Sequence, residues 1–178
     1  MRITIPDPCL VILCGVAGCG KSTFAGRHFR RCQVVSSDRC REMVSDSAAA
    51  MWASADAFEL FHLIISKRLR HRRLTVADST ALGKSARSQL RRIAREAGVP
   101  AVLLLFNVPR KTCLARDAGR RRKVGTVPID AQFEKLAAAL GDVRRERYDA
   151  VYILDEKEMD SAGIRRGREG RGRSAFEG

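Results

Sequence analysis

Gly15, Gly18, Gly20, Lys21 and Ser22 stand in the order GVAGCGKS (15–22), a G-x-x-x-x-G-K-[ST] spacing, between the apolar run CLVILC (9–14) and the helix-like STFAGRHF (22–29). A glycine-rich turn of this kind lets consecutive backbone N–H groups converge on one anion, while the next helix aims about half a positive charge at it. Lys21 then reaches the β- and γ-phosphates of a bound polyphosphate as a point charge. The Ser22 hydroxyl is placed to ligand a Mg²⁺ or Mn²⁺ ion bridging the same oxygens, and Thr23 adds a second hydroxyl. The implied ligand is ATP or another nucleoside triphosphate. Cys19 lies inside the loop beside a helix N-terminus, where a thiolate would be favoured and oxidation would block the nucleotide.

A phosphate loop binds but does not by itself react, so a second reactive element is needed at another strand end. QVVSSDRCR (33–41) supplies Asp38 and, three positions on, Arg41. A carboxylate there could take the proton of an attacking hydroxyl, and an arginine one helical turn away could grip the phosphate of the acceptor. The spacing alone leaves open that Asp38 only caps its helix. A third element lies between Pro109 and Pro128, where Arg116, Arg120 and Arg122 could neutralise charge on a transferring phosphoryl group when a loop closes. If its helix continues, Arg116 and Arg120 share one face, and Gly119 marks a hinge. Asp78 ends the run LTVAD and has the position of an acid that holds the metal ion through water, or of a plain turn residue.

These residues need a frame. Apolar runs CLVILC, QVVSS, LTVAD, VPAVLLLFNV and DAVYIL alternate with helical patterns beginning near Lys21 and Asp38 and spanning 54–70, 84–98, 109–117 and 129–147. That βα alternation predicts an α/β fold: a five-stranded, doubly wound parallel sheet sandwiched by helices, with its ligand crevice at the strand C-termini and a mobile arginine-rich lid at 118–128. In the long helix, Ser54 is the expected N-cap, and Phe58, Phe61, Leu63, Ile64 and Leu69 the apolar stripe. Pro109 suits a first helical position. Beyond Asp155 charge and glycine replace periodicity, which predicts one compact domain over 1–155 and a flexible basic tail or linker over 156–178.

The 178 residues hold 34 Lys and Arg against 20 Asp and Glu, a net charge of +14. Clusters at 67–73, 87–95, 116–123 and 165–173 exceed what a triphosphate requires and point to an acidic polymer. There is no signal-like opening and no apolar run near membrane length, so a cytoplasmic protein with no membrane partner is expected. Six cysteines without a C-x-x-C pair read as reduced and structural.

TIPDPCLVILCGVAGCGKSTFA, VVSSDRCREMVSD, SKRLRHRRLTVADST and the arginine lid, in that order, resemble the N-terminal kinase module of bacterial polynucleotide kinase-phosphatase over about residues 2–154. The resemblance implies a P-loop kinase fold and transfer of the γ-phosphate of a nucleoside triphosphate to the 5′-hydroxyl end of RNA or DNA in nucleic-acid repair, with phosphatase and ligase modules following. It implies Lys21 and Ser22 as phosphate and metal contacts, Asp38 as general base, Arg41 as acceptor-phosphate contact, and Arg116 and Arg122 as lid clamps. The DSTAL stretch departs from the pattern, which has an asparagine shortly after the threonine. Two alternatives stand beside it: a small-metabolite kinase of the gluconate or shikimate type, and a nucleic-acid-binding module switched by the triphosphate.

Overall fold

Strands in which every residue is apolar need cover on both faces, and that requirement organises the molecule. A computed structural model describes residues 1–168. In chain order they form β1 (Arg2–Asp7), β2 (Leu10–Gly15), α1 (Lys21–His28), β3 (Val34–Ser36), α2 (Ser37–Ser45), α3 (Ser54–Arg70), β4 (Thr75–Asp78), α4 (Lys84–Glu96), β5 (Ala101–Phe106), α5 (Arg110–Ala118), α6 (Thr126–Asp142), β6 (Ala150–Leu154), α7 (Glu156–Ser161) and β7 (Gly163–Arg168). Short 3₁₀ turns lie at Arg31–Gln33 and Met51–Ala53.

Five strands pair in parallel in the order β3-β4-β2-β5-β6, so the expected parallel sheet is present with all five anticipated strands. Alternation divides the core. Leu10, Ile12 and Cys14 of β2, with Leu103 and Leu105 of β5, face a cluster containing Phe61 and Ile65 of α3. Val11 and Leu13, with Val102, Leu104 and Phe106, face a second cluster containing Phe24 of α1 and Met159 of α7. The α3 stripe is Ala57, Phe61, Ile65 and Leu69, a strict four-residue repeat, so Leu63 is corrected to the exposed face.

Four local readings are settled by the fold. Ser54 is the first residue of α3 rather than its cap, and Pro109 is an N-cap rather than a first helical residue. The cap of α2 is Ser36, whose Oγ accepts from the Arg39 backbone N–H at 3.4 Å, which leaves Asp38 free of that task. Arg87, one of the arginines counted toward a basic surface, is interior: its Nη2 donates to Glu146 Oε1 at 2.6 Å with the two side chains 1% and 4% exposed.

The stretch from 156, expected as a tail, is corrected up to 168. Asp155 and Glu158 form a reciprocal capping box that starts α7. β7 then pairs in parallel with β1, a second sheet that hydropathy did not suggest because GIRRGR carries its signal in backbone hydrogen bonds rather than side chains. Ile3 and Ile5 of β1 are fully buried in the second core cluster, against which Ile164 of β7 packs, and the Tyr152 hydroxyl donates to Thr4 O at 2.9 Å, fastening β1 to β6. The basic positions 169–173 lie outside the described residues.

Candidate active site

Parallel pairing puts the C-terminal ends of β2, β3 and β4 side by side, and the reactive residues sit just beyond them. β2 runs straight into the phosphate loop and α1. Gly18 has φ +82°, and a Cβ there would run into the backbone of Cys113 in α5, so the loop is moulded against that helix and the position requires glycine. Lys21 is buried, its Nζ donating to Gly15 O at 2.7 Å and Val16 O at 2.9 Å.

The β2–β4 register sets Asp78 opposite Leu13, two residues short of the loop, and brings its carboxylate to α1. Ser22 Oγ donates to Asp78 Oδ2 at 2.7 Å. Burial pushes the Asp78 pKa up, partly offset by the Ser22 hydroxyl and the Lys21 charge. A hydroxyl and a carboxylate are hard oxygen donors of the kind a small divalent cation selects. Among the described residues no group of three or more His, Cys, Asp and Glu could hold a metal, so an ion at Ser22 and Asp78 would complete its shell from phosphate and water oxygens.

Asp38 and Arg41 arrive from β3 and α2. The Arg41 guanidinium is nearly enclosed: Nη1 donates to Asp38 Oδ1 at 2.6 Å and Ala48 O at 3.1 Å, and Nε to Ser54 Oγ at 3.3 Å. The Asp38 side chain is 62% exposed, and Arg122 Nη1 approaches its other oxygen at 3.5 Å. One carboxylate is therefore held between an arginine from α2 and another from the loop after α5. Lys21, Ser22, Asp38, Arg41, Asp78, Arg120 and Arg122 all line a single cavity of about 650 Å³. Ala17 N, in the phosphate loop, donates to Gln132 Oε1 of α6 at 2.7 Å, a wall residue with no sequence signal of its own.

Arg116 is elsewhere. α5 stops at Ala118, so the shared face expected for Arg116 and Arg120 does not exist. Arg116 Nη1 donates to Cys19 O at 3.3 Å and Nη2 to Glu156 Oε1 at 2.7 Å. With Gly20, Thr23, Phe24, Arg27 and Met159 it lines a separate hollow across the phosphate loop. Met159 and Glu156 belong to α7 and were missed because that segment read as linker.

The loop carrying Arg120 and Arg122 is tied at its base. The buried Asp117 carboxylate accepts from Val124 N and Gly125 N, each at 3.0 Å through Oδ2. Burial raises its pKa, but the two backbone donors and the nearby Arg120 and Lys123 charges outweigh that and hold it below the usual range. Asp117→Ala is expected to speed tryptic cleavage at residues 120–123 several-fold while costing about 1–3 kcal/mol of global stability; limited proteolysis beside urea denaturation checks this.

All six cysteines are free and five are buried, Cys19 included, which closes that thiol to bulky reagents. Burial pushes Cys9 up to about 12 and Cys14 and Cys113 up to about 11, so these remain protonated apolar filler.

No helix of the described residues is long and apolar enough to cross a membrane. No curated protein matches the chain significantly. Among solved structures, the Pnkp1/Rnl/Hen1 RNA repair complex aligns at 20% identity and TM-score 0.64 over 81% of this chain and 48% of that one, so this chain spans about half its length. The PezAT chromosomal toxin-antitoxin system of Streptococcus pneumoniae aligns at 13% identity and TM-score 0.66 over 88% and 70%. A gluconokinase from Sinorhizobium meliloti 1021 aligns at 20% identity and TM-score 0.54 over 85% and 84%. At these identities the likeness is one of fold. The family model described as an AAA domain, AAA_33, matches residues 10–145, from β2 through the helix beyond the arginine loop, and the chain belongs to that family.

Proposed function

We propose that this protein is a polynucleotide 5′-hydroxyl kinase, which moves the γ-phosphate of ATP or another nucleoside triphosphate onto the 5′-OH end of RNA or DNA. The observation that carries the reading is the Asp38 carboxylate, held between Arg41 and Arg122 on the wall of the cavity that also contains Lys21 and the Ser22–Asp78 pair.

The chemistry follows from that placement. The acceptor hydroxyl gives its proton to Asp38, its oxygen bonds to the γ-phosphorus, and the bond from that phosphorus to the β-bridging oxygen breaks, releasing a nucleoside diphosphate. Lys21 and the loop amides hold the β- and γ-phosphates. Arg41, fixed by Ser54 and Ala48, takes the phosphate on the 3′ side of the acceptor nucleoside, and Arg122 and Arg120 offset charge on the equatorial oxygens. A Mg²⁺ or Mn²⁺ ion, bound by Ser22 and through water by Asp78, would neutralise phosphate charge. The hollow beside Arg116 and Met159 lies where the donor's nucleoside can leave the loop.

The test is incubation with γ-labelled ATP and a 5′-OH oligonucleotide. Label on the oligonucleotide end is expected. Label on gluconate or shikimate alone, or binding with no transfer to any acceptor, overturns the reading.

A further inference from the structure

β3 is the outer strand of the sheet, and beside it lies a groove of about 530 Å³ separate from the phosphate-loop cavity. Val34, Met43 and Ile64 give it an apolar floor, Arg31, Arg39 and Arg68 line it, and none of its lining residues is acidic. Arg68 is set in advance: its Nε donates to Thr75 Oγ1 at 3.2 Å and its Nη2 to Leu74 O at 3.1 Å, so little rotamer freedom remains for a ligand to remove. Close by, Arg166 of β7 donates to Gln33 Oε1 at 3.2 Å, adding positive charge next to the 3₁₀ turn that holds Arg31.

The groove meets the cavity at one residue. Ser36 lines both, and only the first turn of α2 separates them, with Asp38 and Arg41 facing the cavity and Arg39, Cys40 and Met43 facing the groove. A small acceptor held at Asp38 has no use for this second surface. A polymer must leave the cavity somewhere, and an arginine-rimmed channel with an apolar floor matches unpaired bases on one side and a phosphodiester backbone on the other.

We propose that the groove along β3 carries the single-stranded acceptor inward from its 5′ end, with Arg31, Arg39 and Arg68 on successive phosphates and the bases against Val34, Met43 and Ile64. The inference rests on the acceptor being a nucleic acid, as argued above, and adds which surface selects for a strand rather than an end.

The test compares phosphorylation of a 5′-OH dinucleotide and a 5′-OH octanucleotide by the wild type and by Arg31→Ser/Arg39→Ser. Both replaced side chains are exposed, so folding is preserved. The variant is expected to raise KM for the octamer about tenfold, and to flatten its log–log salt dependence by about 0.7 per lost phosphate contact, with ATP KM and dinucleotide turnover unchanged. A control, Arg144→Ser/Arg147→Ser, removes equal charge from exposed positions before β6, at the opposite edge of the sheet, and should leave the octamer KM alone. Cys32, the exposed cysteine, lines the groove, so the octamer but not ATP should protect it from iodoacetamide. Unchanged octamer KM, equal loss in the control, or alkylation of Cys32 unaffected by the octamer overturns the groove while leaving kinase activity on the dinucleotide intact. Absence of transfer to either acceptor overturns the functional reading itself.

Discussion

Asp38→Ala is expected to slow phosphoryl transfer by about 10²–10⁴-fold while nucleotide affinity stays within a few-fold. The reason is positional. Asp38 touches no atom of the phosphate loop; its two oxygens go to Arg41 at 2.6 Å and Arg122 at 3.5 Å, so its loss leaves the contacts of Lys21 and Ser22 in place. What disappears is the group placed to take the hydroxyl proton, together with the tether that aims two guanidinium groups. The two contributions separate on comparison with Asp38→Asn, which keeps a hydrogen-bonding shape but cannot accept the proton. Both variants should show flat, low pre-steady-state transfer, whereas Arg41→Ala should act mainly through the KM of the acceptor, Arg41 being nearly enclosed and aimed into the same cavity. Transfer at wild-type rate by Asp38→Ala would remove that residue from the mechanism.

Glu146→Ala is expected to cost about 3–5 kcal/mol of stability, read by urea denaturation. The carboxylate meets Arg87 at 2.6 Å, accepts from the Tyr148 hydroxyl at 3.0 Å and lies 3.9 Å from Arg91. Truncation leaves the Arg87 guanidinium inside the protein with only the carbonyls of Ala81 and Leu82. A pH dependence accompanies it. Burial pushes the Glu146 pKa up, but the hydrogen bonds from Arg87 and Tyr148 and the charges of Arg87 and Arg91 more than reverse this, so the folded value lies below the ordinary one. On acidification the unfolded chain therefore binds the proton first. The contribution is whole above the usual glutamate range and is lost as pH falls through the folded value. Wild type should approach Glu146→Ala in stability over that acid window; parallel curves would show that the carboxylate is not the group responsible.

The same pair shows where reading residues in order runs out. The sheet was legible because CLVILC and VLLLF leave no polar face, whereas Asp78 reads equally as a metal-holding acid or a plain turn residue, and only the fold shows its carboxylate 2.7 Å from Ser22 Oγ. Asp38, Arg41 and Arg122 could be singled out as residue types at strand and loop ends, and the fold brings them to one wall. Arg87 could not. In sequence it is one arginine in a basic helix, and its partner lies beyond β5 and α6, so only the folded chain reveals that its charge is spent inside. Arg116 was misplaced for a local reason, the end of α5 at Ala118, which sends residues on either side of Gly119 to opposite flanks of the phosphate loop.

β1 has a consequence for biogenesis. Its parallel partner β7 is translated after every other element among the described residues, so the β1 backbone has no strand partner until Gly163–Arg168 has emerged. Closing so long a loop carries an entropy cost that grows only with the logarithm of its length, but the wait itself is set by translation. Nascent chains halted before Gly163 will thus display an unpaired strand, the kind of segment that holdase chaperones recognise.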